Sequence, residues 1–389
     1  MVLPLTTPTQ QHSRPPSGYP RLELSLSAVR ANTGALAERL LATGIELTGV
    51  TKAVDGEPRV GEAMLEAGAA GLADSRLAAL TRLAAHALAP LTLIRSPQPD
   101  EVEAAAQVAD RVMLSDPGAA RALGEHAPGA PVEVLLTVDL GDRREGVLPD
   151  DAAAVAAEIA RLRGVVLAGV AVNFACLSGQ LPSQDLFREA ERVLAAVAKH
   201  CVAEPLLSLG GTCCLQQLEG YGPRVRTEVR SGGGPLYGYD FVSGRPLAGM
   251  KRTDPLLTAV VLECHEKPPA PATAVGCDCF GHVPEAQLPV DDAWYALLNV
   301  GRRDCEPAGL RPLLPGAHLA GMTSDVGVLV VPQRLAPGEH VVFAVDYDAL
   351  VRAVTSPFVV KAFTDDWLEE TEAGVHLAAG IDVDPEGTA

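Results

Sequence analysis

Between Arg21 and Leu26 apolar and polar residues alternate (Arg-Leu-Glu-Leu-Ser-Leu), the period of a half-buried strand. Ser27 can then cap a helix carrying Val29, Leu36, Leu40 and Leu41. From there one unit repeats: a short apolar run, a polar or small-residue turn, then an Ala/Leu-rich amphipathic stretch. The runs are Leu47–Thr51, Gly71–Asp74, Leu91–Ile94, Arg111–Leu114, Val132–Val138, Val165–Val172, Leu206–Leu209 and Val225–Arg230. Helical stretches such as Val60–Ala67, Leu77–Ala87, Val102–Val108, Ala152–Leu162 and Leu186–His200 lie between them. A spacing of roughly 20 to 35 residues is the rhythm of successive βα units. Eight such units predict an α/β fold: an eight-stranded parallel β/α (TIM-like) barrel rather than an open sheet.

After about Tyr239 the helical rhythm fades. Strand-like runs follow at Leu257–Cys264, Ala274–Phe280, Trp294–Val300, His318–Met322, Val326–Val331, His340–Val345 and Pro357–Ala362, with Pro and Gly between them. They predict a second, mostly antiparallel β domain. The expected division is therefore a disordered lead over 1–20, the barrel over 21–240 with its first strand free to join the second domain, the β domain over 241–380 and a tail over 381–389.

Composition narrows the picture little. The chain has 389 residues, 48% of them hydrophobic but only 4% aromatic, so the core must be built from Leu, Val and Ala. Lys and Arg number 31 against 49 Asp and Glu, a net charge of −18, which argues against nucleic acid or an anionic membrane as a partner. The first 20 residues carry neither a basic segment nor a long apolar run, so no signal peptide is expected, and no stretch has the length of a membrane span. Eight scattered cysteines in so long a chain are the pattern of reduced thiols in a cytoplasm.

Candidate chemistry starts at Lys52, which follows the first of the eight runs. It is the only lysine among the first 198 residues of a chain with five lysines and 26 arginines. An amine can lose its proton and attack a carbonyl, whereas a guanidinium cannot; the competing reading is a solvated lysine at a strand end. Working residues of such barrels gather at the C-terminal strand ends. After the fifth run comes Asp139-Leu-Gly-Asp-Arg-Arg-Glu-Gly146, and after the sixth come Asn173 and Cys176. The last two runs lead into glycine-rich turns, Ser208-Leu-Gly-Gly-Thr-Cys-Cys214 and Arg230-Ser-Gly-Gly-Gly-Pro-Leu-Tyr237. Turns at this place are where β/α barrels bind phosphate, and Thr212 and Cys213 could add side-chain contacts. A reactive lysine and a phosphate site in one barrel mouth imply a phosphorylated carbonyl ligand. Pyridoxal 5'-phosphate held as a Schiff base meets that description, and so does the substrate of a sugar-phosphate aldolase.

Several motifs in order carry a family likeness: Tyr19-Pro-Arg-Leu-Glu-Leu, Thr48-Gly-Val-Thr-Lys52, Gly71-Leu-Ala-Asp-Ser-Arg76, Val138-Asp-Leu-Gly-Asp-Arg-Arg-Glu-Gly-Val147, Arg230-Ser-Gly-Gly, Gly321-Met-Thr-Ser-Asp325 and Asp346-Tyr-Asp-Ala-Leu-Val-Arg-Ala-Val-Thr-Ser-Pro357. Over Tyr19 to Phe363 the chain resembles pyridoxal-phosphate-dependent amino-acid racemases of the alanine racemase fold, most closely their ornithine-racemase-like branch. The resemblance implies that Lys52 holds pyridoxal 5'-phosphate and serves as one catalytic base. It implies that Arg230 faces the pyridine nitrogen, a choice that weakens the electron sink and favours return of a proton at Cα over transamination. It places Gly232, Gly233, Thr212, Cys213 and Tyr347 at the phosphate, and Arg144 near the phenolic oxygen. Asn173 falls where alanine racemases have histidine, and Cys213 where the family usually has serine. The resemblance also implies a head-to-tail homodimer that interconverts the L- and D-forms of a free amino acid, a small-molecule substrate.

Alanine racemases supply a second acid/base from the partner subunit as a tyrosine. The matching stretch here, Ala274-Val-Gly-Cys-Asp-Cys-Phe-Gly281, has none, and the position falls at Cys277 with Asp278 beside it. Either can move a proton if the site tunes it. Asp325, with Ser324 before it, is expected to meet the substrate ammonium of a basic amino acid such as ornithine; the alternative is a turn aspartate capping local N–H groups. Cys277, Cys279 and His282 with Cys264 and His265 offer soft ligands for zinc, but Cys-x-Cys on one strand lacks the usual spacing, so no metal is expected. Rival functions on the same scaffold are a metal-assisted aldolase or dehydratase, a biosynthetic epimerase and a non-catalytic pyridoxal-phosphate-binding protein.

Overall fold

The computed structural model describes residues 18–269, 276–278, 280, 281, 283, 291–365, 370, 371, 374 and 375. Its described residues divide into two compact units, one over 25–254 with 365 and one over the described residues of 18–24, 255–364 and 370–375.

The first unit is a closed barrel of eight parallel strands, in the order β2 (Ile45–Val50), β3 (Gly71–Asp74), β4 (Leu91–Leu93), β5 (Arg111–Leu114), β6 (Val132–Val138), β7 (Val165–Asn173), β8 (Leu206–Gly210) and β9 (Thr227–Ser231). β9 closes on β2, with Thr48 opposite Arg230. The strands are near-continuous apolar runs because both faces are covered, by side chains inside and helices outside. Met113, Leu135, Ala171 and Leu206, from four successive strands, form one buried cluster. The helices start where side-chain acceptors meet their unpaired N–H groups. Ser25 Oγ accepts from Ala28 N at 3.2 Å and opens Leu26–Leu41, two residues before the sequence-predicted cap. Asp116 and Ser183 do the same for Pro117–Glu125 and Gln184–Val197.

β1 (Arg21–Ser25) buries Leu22 and Leu24, as its alternation predicts, and pairs antiparallel with Leu256–Lys267 in the second unit. That long strand also pairs with His340–Val345 and Ala293–Leu298, and carries a register shift between Val261 and Glu263. The path through the sheet is Leu310–Pro312, His340–Val345, Leu256–Lys267, Ala293–Leu298, Gly327–Val331, His318–Met322. Strand Leu310–Pro312, too short to show a period, and helix Tyr347–Thr355, whose buried residues Ala349, Leu350, Ala353 and Val354 do recur at helical spacing, are additions to the predicted elements. Of the expected strand Ala274–Phe280, residues 274, 275 and 279 lie outside the described residues, and the other four, Gly276, Cys277, Asp278 and Phe280, belong to no strand. Among the described residues no helix is long and apolar enough to cross a membrane.

Candidate active site

Lys52 opens a short 3-10 turn directly after β2. The turn is locked from behind: Thr51 N donates to Ala73 O at 3.0 Å and Thr51 Oγ1 to Asp74 Oδ2 at 2.8 Å. Asp74 is buried at the end of β3, and its other oxygen accepts from Arg76 N at 2.9 Å. Burial pushes the Asp74 carboxyl above the usual range, against the pull of those two hydrogen bonds. Lys52 itself is exposed, and its amine makes no hydrogen bond or ion pair among the described residues.

Arg230 projects from β9 and is buried, with three acceptors fixing its two terminal nitrogens. Nη1 donates to Ser208 Oγ, while Nη2 donates to Val172 O at 3.1 Å and to Asn173 Oδ1 at 2.8 Å. Asn173, Gly210 and Arg230 occupy one row across β7, β8 and β9. A side chain in the middle of that row would keep the outer two apart; a Cβ at Gly210 would collide with Arg230 Nη2 and lie 2.5 Å from Asn173 Oδ1. Glycine there lets an amide and a guanidinium meet across three strands. Burial lowers the Arg230 pKa, and Glu228 opposes it most.

Asn173 continues the chain of contacts by donating from Nδ2 to Glu145 Oε1 at 2.6 Å. Glu145 in turn pairs with Arg144 Nη2 at 3.2 Å, and Arg144 Nε donates to Asp142 Oδ2 at 2.7 Å. Asp142 Oδ1 gathers Leu177 N at 2.9 Å and Ser178 N at 3.1 Å, which ties the loop after β6 to the loop after β7. Burial alone would raise Asp142, but these donors and Arg144 together hold it below the usual carboxylate range. Between the two loops the Cys176 thiol feels the positive charge of both Arg144 and Lys52. Although Cys176 has solvent access, the protein crowded around its sulfur raises its pKa above that of an ordinary thiol. Arg143 is exposed at the turn: its φ is +58°, and its backbone N–H donates to Asp139 Oδ1 at 3.1 Å.

The glycine turns after β8 and β9 adjoin each other. Thr212 Oγ1 lies 2.9 Å from Ser231 Oγ and accepts from Gly234 N at 3.3 Å. Gly233 lies under the Phe241 ring; a Cβ there would collide with that ring and stand 3.1 Å from Thr212 Oγ1. A Cβ at Gly232 would lie 2.5 Å from Val50 O. The Cys213 thiol contacts Phe174 O at 3.5 Å, and Cys214 beside it lowers its pKa. Lys52, Arg144, Asn173, Thr212, Cys213, Arg230, Gly232 and Gly233 thus all stand at C-terminal ends of barrel strands.

The remaining candidates belong to the second unit. Cys277 is exposed, and Asp278 Oδ1 accepts from Phe280 N at 2.9 Å. Asp325 is exposed and accepts from Ser324 Oγ at 2.8 Å and Arg303 Nη1 at 3.2 Å. The hydroxyl of Ser324, then Arg303, holds Asp325 below the usual carboxylate range. Tyr347 opens helix Tyr347–Thr355, which Asp346 caps. Cys279 and His282 lie outside the described residues, and among the described residues no three His, Cys, Asp or Glu side chains group to hold a metal ion.

Residues 24–240 match the family profile described as alanine racemase, N-terminal domain. The chain belongs to the alanine racemase family. It is 31% identical over 354 residues to the lysine racemase of Thermotoga maritima, covering 89% of this chain and 98% of that protein. It is 25% identical over 354 residues to the ornithine racemase of Acetoanaerobium sticklandii, covering 88% of this chain and 99% of that one. The alanine racemase of E. faecalis has the same fold, with a TM-score of 0.69 at 16% identity over 90% of this chain and 100% of that one. The D-threonine aldolase of Filomicrobium marinum also shares it, with a TM-score of 0.67 at 19% identity over 86% of this chain and 88% of that one. The chain is an amino-acid racemase, an isomerase of a family that depends on pyridoxal 5'-phosphate.

The racemase's own residues fit that cofactor. With both Nη atoms of Arg230 tied down, Nε meets no acceptor among the described residues, and a neutral pyridine nitrogen is one. The site also includes residues that sequence reasoning missed: Glu145, Asp142, Ser208, Glu228, Asp74, Gly210 and Phe241. One signal was available for Glu228, because it and Arg230 are two apart in a short strand and therefore share its inward face. The others depend on which strands and loops become neighbours.

Proposed function

We propose that this racemase binds pyridoxal 5'-phosphate through Lys52 and interconverts the L- and D-forms of a basic amino acid, ornithine or lysine, by two-base proton transfer. The observation that carries the reading is the Arg230 guanidinium, buried, fixed at three points and left with Nε for the ring nitrogen. When bound, the cofactor supplies an electron sink that acidifies the substrate's α-hydrogen. Arg230, permanently cationic, keeps the ring nitrogen unprotonated and so limits that sink, which favours returning the proton at Cα. Arg144 holds the phenolic oxygen in this reading, and Gly232, Gly233, Thr212 and Cys213 with Tyr347 hold the phosphate.

Lys52 takes or returns the α-proton on one face of the substrate. Cys277 or Asp278 of the partner subunit serves the other face, in a head-to-tail homodimer in the cytoplasm. Asp325 with Ser324 selects the distal ammonium. Its support is an ionised carboxylate in a turn whose backbone is pinned by Arg302 N to Thr323 O at 2.9 Å and Arg303 N to Ser324 O at 3.1 Å. Relatives named lysine racemase and ornithine racemase, covering nearly all of the chain, are consistent with that choice.

The test is an amino-acid panel scored by chiral chromatography, together with loss of α-deuterium in water from deuterated L- and D-ornithine and lysine. Wild type is expected to exchange and invert the basic amino acids. Lys52→Ala is expected to do neither; exchange that survives in this variant removes Lys52 from the mechanism.

A further inference from the structure

A ladder of alternating charge runs through the barrel interior below the site. Glu133 pairs with Arg111 Nη2 at 2.8 Å, and Arg111 Nη1 lies 3.5 Å from Glu228 Oε2. Glu228 is buried, accepts from Thr48 Oγ1 at 2.8 Å and accepts the Ser208 hydroxyl on its other oxygen. Ser208 then accepts from Arg230 Nη1, and Arg230 passes the ladder to Asn173. Register explains the geometry: Ser208 is directly opposite Glu228 across β8 and β9, and Glu228 and Arg230 lie on the same face of β9.

A serine hydroxyl has one hydrogen and two lone pairs. With that hydrogen committed to a carboxylate, a lone pair is left for the guanidinium, and the carboxylate makes the oxygen a stronger acceptor. The carboxylate also supplies a counter-charge to a cation held out of water. We propose that Glu228, acting through the Ser208 hydroxyl, is the positioning residue that aims the Arg230 guanidinium at the ring nitrogen of pyridoxal 5'-phosphate. This rests on the cofactor reading above. Glu228 touches neither cofactor nor substrate in this scheme; it fixes the angle of the residue that does.

The test compares wild type, Ser208→Ala, Ser208→Thr, Glu228→Gln and Thr48→Val, each stripped of cofactor and titrated with pyridoxal 5'-phosphate. The readouts are the visible absorption band, the dissociation constant and the melting temperature before cofactor is added. Ser208→Ala removes the relay while Glu228 keeps Thr48 and Arg111, so it carries the test even where Glu228→Gln fails to fold. Losing a hydrogen bond to a buried charged group corresponds to about tenfold weaker binding. Ser208→Ala is therefore expected to bind cofactor about tenfold more weakly with a displaced absorption band, and Ser208→Thr to restore both. Thr48→Val removes a Glu228 partner that does not lead to Arg230; it is expected to lower the melting temperature and leave the band in place. A Ser208→Ala protein with wild-type band and affinity, or a Thr48→Val protein that moves both as far, overturns the relay. A wild-type protein that develops no visible band overturns the cofactor reading itself, so the two failures are told apart.

Discussion

Arg230 fixes the orientation of the Asn173 amide: Nη2 donates to Oδ1 at 2.8 Å, and a guanidinium can only donate. The amide nitrogen is thereby turned to Glu145 Oε1 at 2.6 Å, so one asparagine joins the buried Arg230 to the partner of Arg144. Asn173→Leu breaks both contacts and leaves Glu145 to pair with Arg144 alone. We expect kcat/KM to fall by about tenfold to a hundredfold, the equivalent of one or two hydrogen bonds to charged groups. Asn173→Asp sets a carboxylate against Glu145 and should cost at least as much, measured by the same racemisation assay.

Gly210→Ala tests the row in which Asn173 and Arg230 meet. The added methyl group collides with Arg230 Nη2, and the arginine must leave its place. Cofactor affinity measured by absorbance titration should fall by at least tenfold. An alanine variant with wild-type affinity would show that the arginine's placement does not matter to binding.

Asp142 gives the site a pH-dependent anchor. Its folded pKa is depressed, so its contribution to stability is present above the unfolded value of about 3.9 and is lost as pH falls through the folded value. Asp142→Asn should destabilise the barrel by about 2 kcal/mol at pH 7, from weakened contacts with Leu177 N, Ser178 N and Arg144. That corresponds to a melting temperature lower by roughly 4 to 8 °C. The gap between variant and wild type should close as pH drops below about 4, a trend that thermal scans across pH check directly.

The second proton carrier is tested by asymmetry. Cys277→Ala and Asp278→Asn should each be assayed for α-deuterium loss from the two enantiomers separately. The variant that removes the carrier keeps exchange from one enantiomer, served by Lys52, and loses it from the other. If both variants still invert the substrate at the wild-type rate, the carrier lies elsewhere.

Asp325→Asn should raise KM for ornithine and lysine by about two- to fivefold, the range of a lost contact between exposed charges. Poor neutral substrates should be unaffected. An equal change for both classes would assign Asp325 to holding its own turn, through Ser324 and Arg303.

The order and period of the elements were written into the chain. Eight apolar runs separated by amphipathic stretches read as parallel strands covered on both faces, their number points to a closed barrel, and the observed strands fall on all eight runs. Lys52 and the two glycine turns were legible for a related reason: their chemistry is local, needing only a strand end before them and small residues around them. The helix Tyr347–Thr355 was missed although its signal is local: Asp346 caps it, and its buried residues Ala349, Leu350, Ala353 and Val354 recur at helical spacing.

What only the tertiary structure decided is the hydrogen-bonded ladder from Glu228 through Ser208, Arg230 and Asn173 to Glu145 and Arg144. Its members come from β7, β8, β9 and the loop after β6, and they meet because barrel closure and register set Ser208 beside Glu228 and Gly210 between Asn173 and Arg230. Sequence spacing carries the period of an element but not the identity of its neighbour across a sheet. The lysine could therefore be named from the sequence, while the frame that holds Arg230 on the neighbouring strand β9 required the closed barrel.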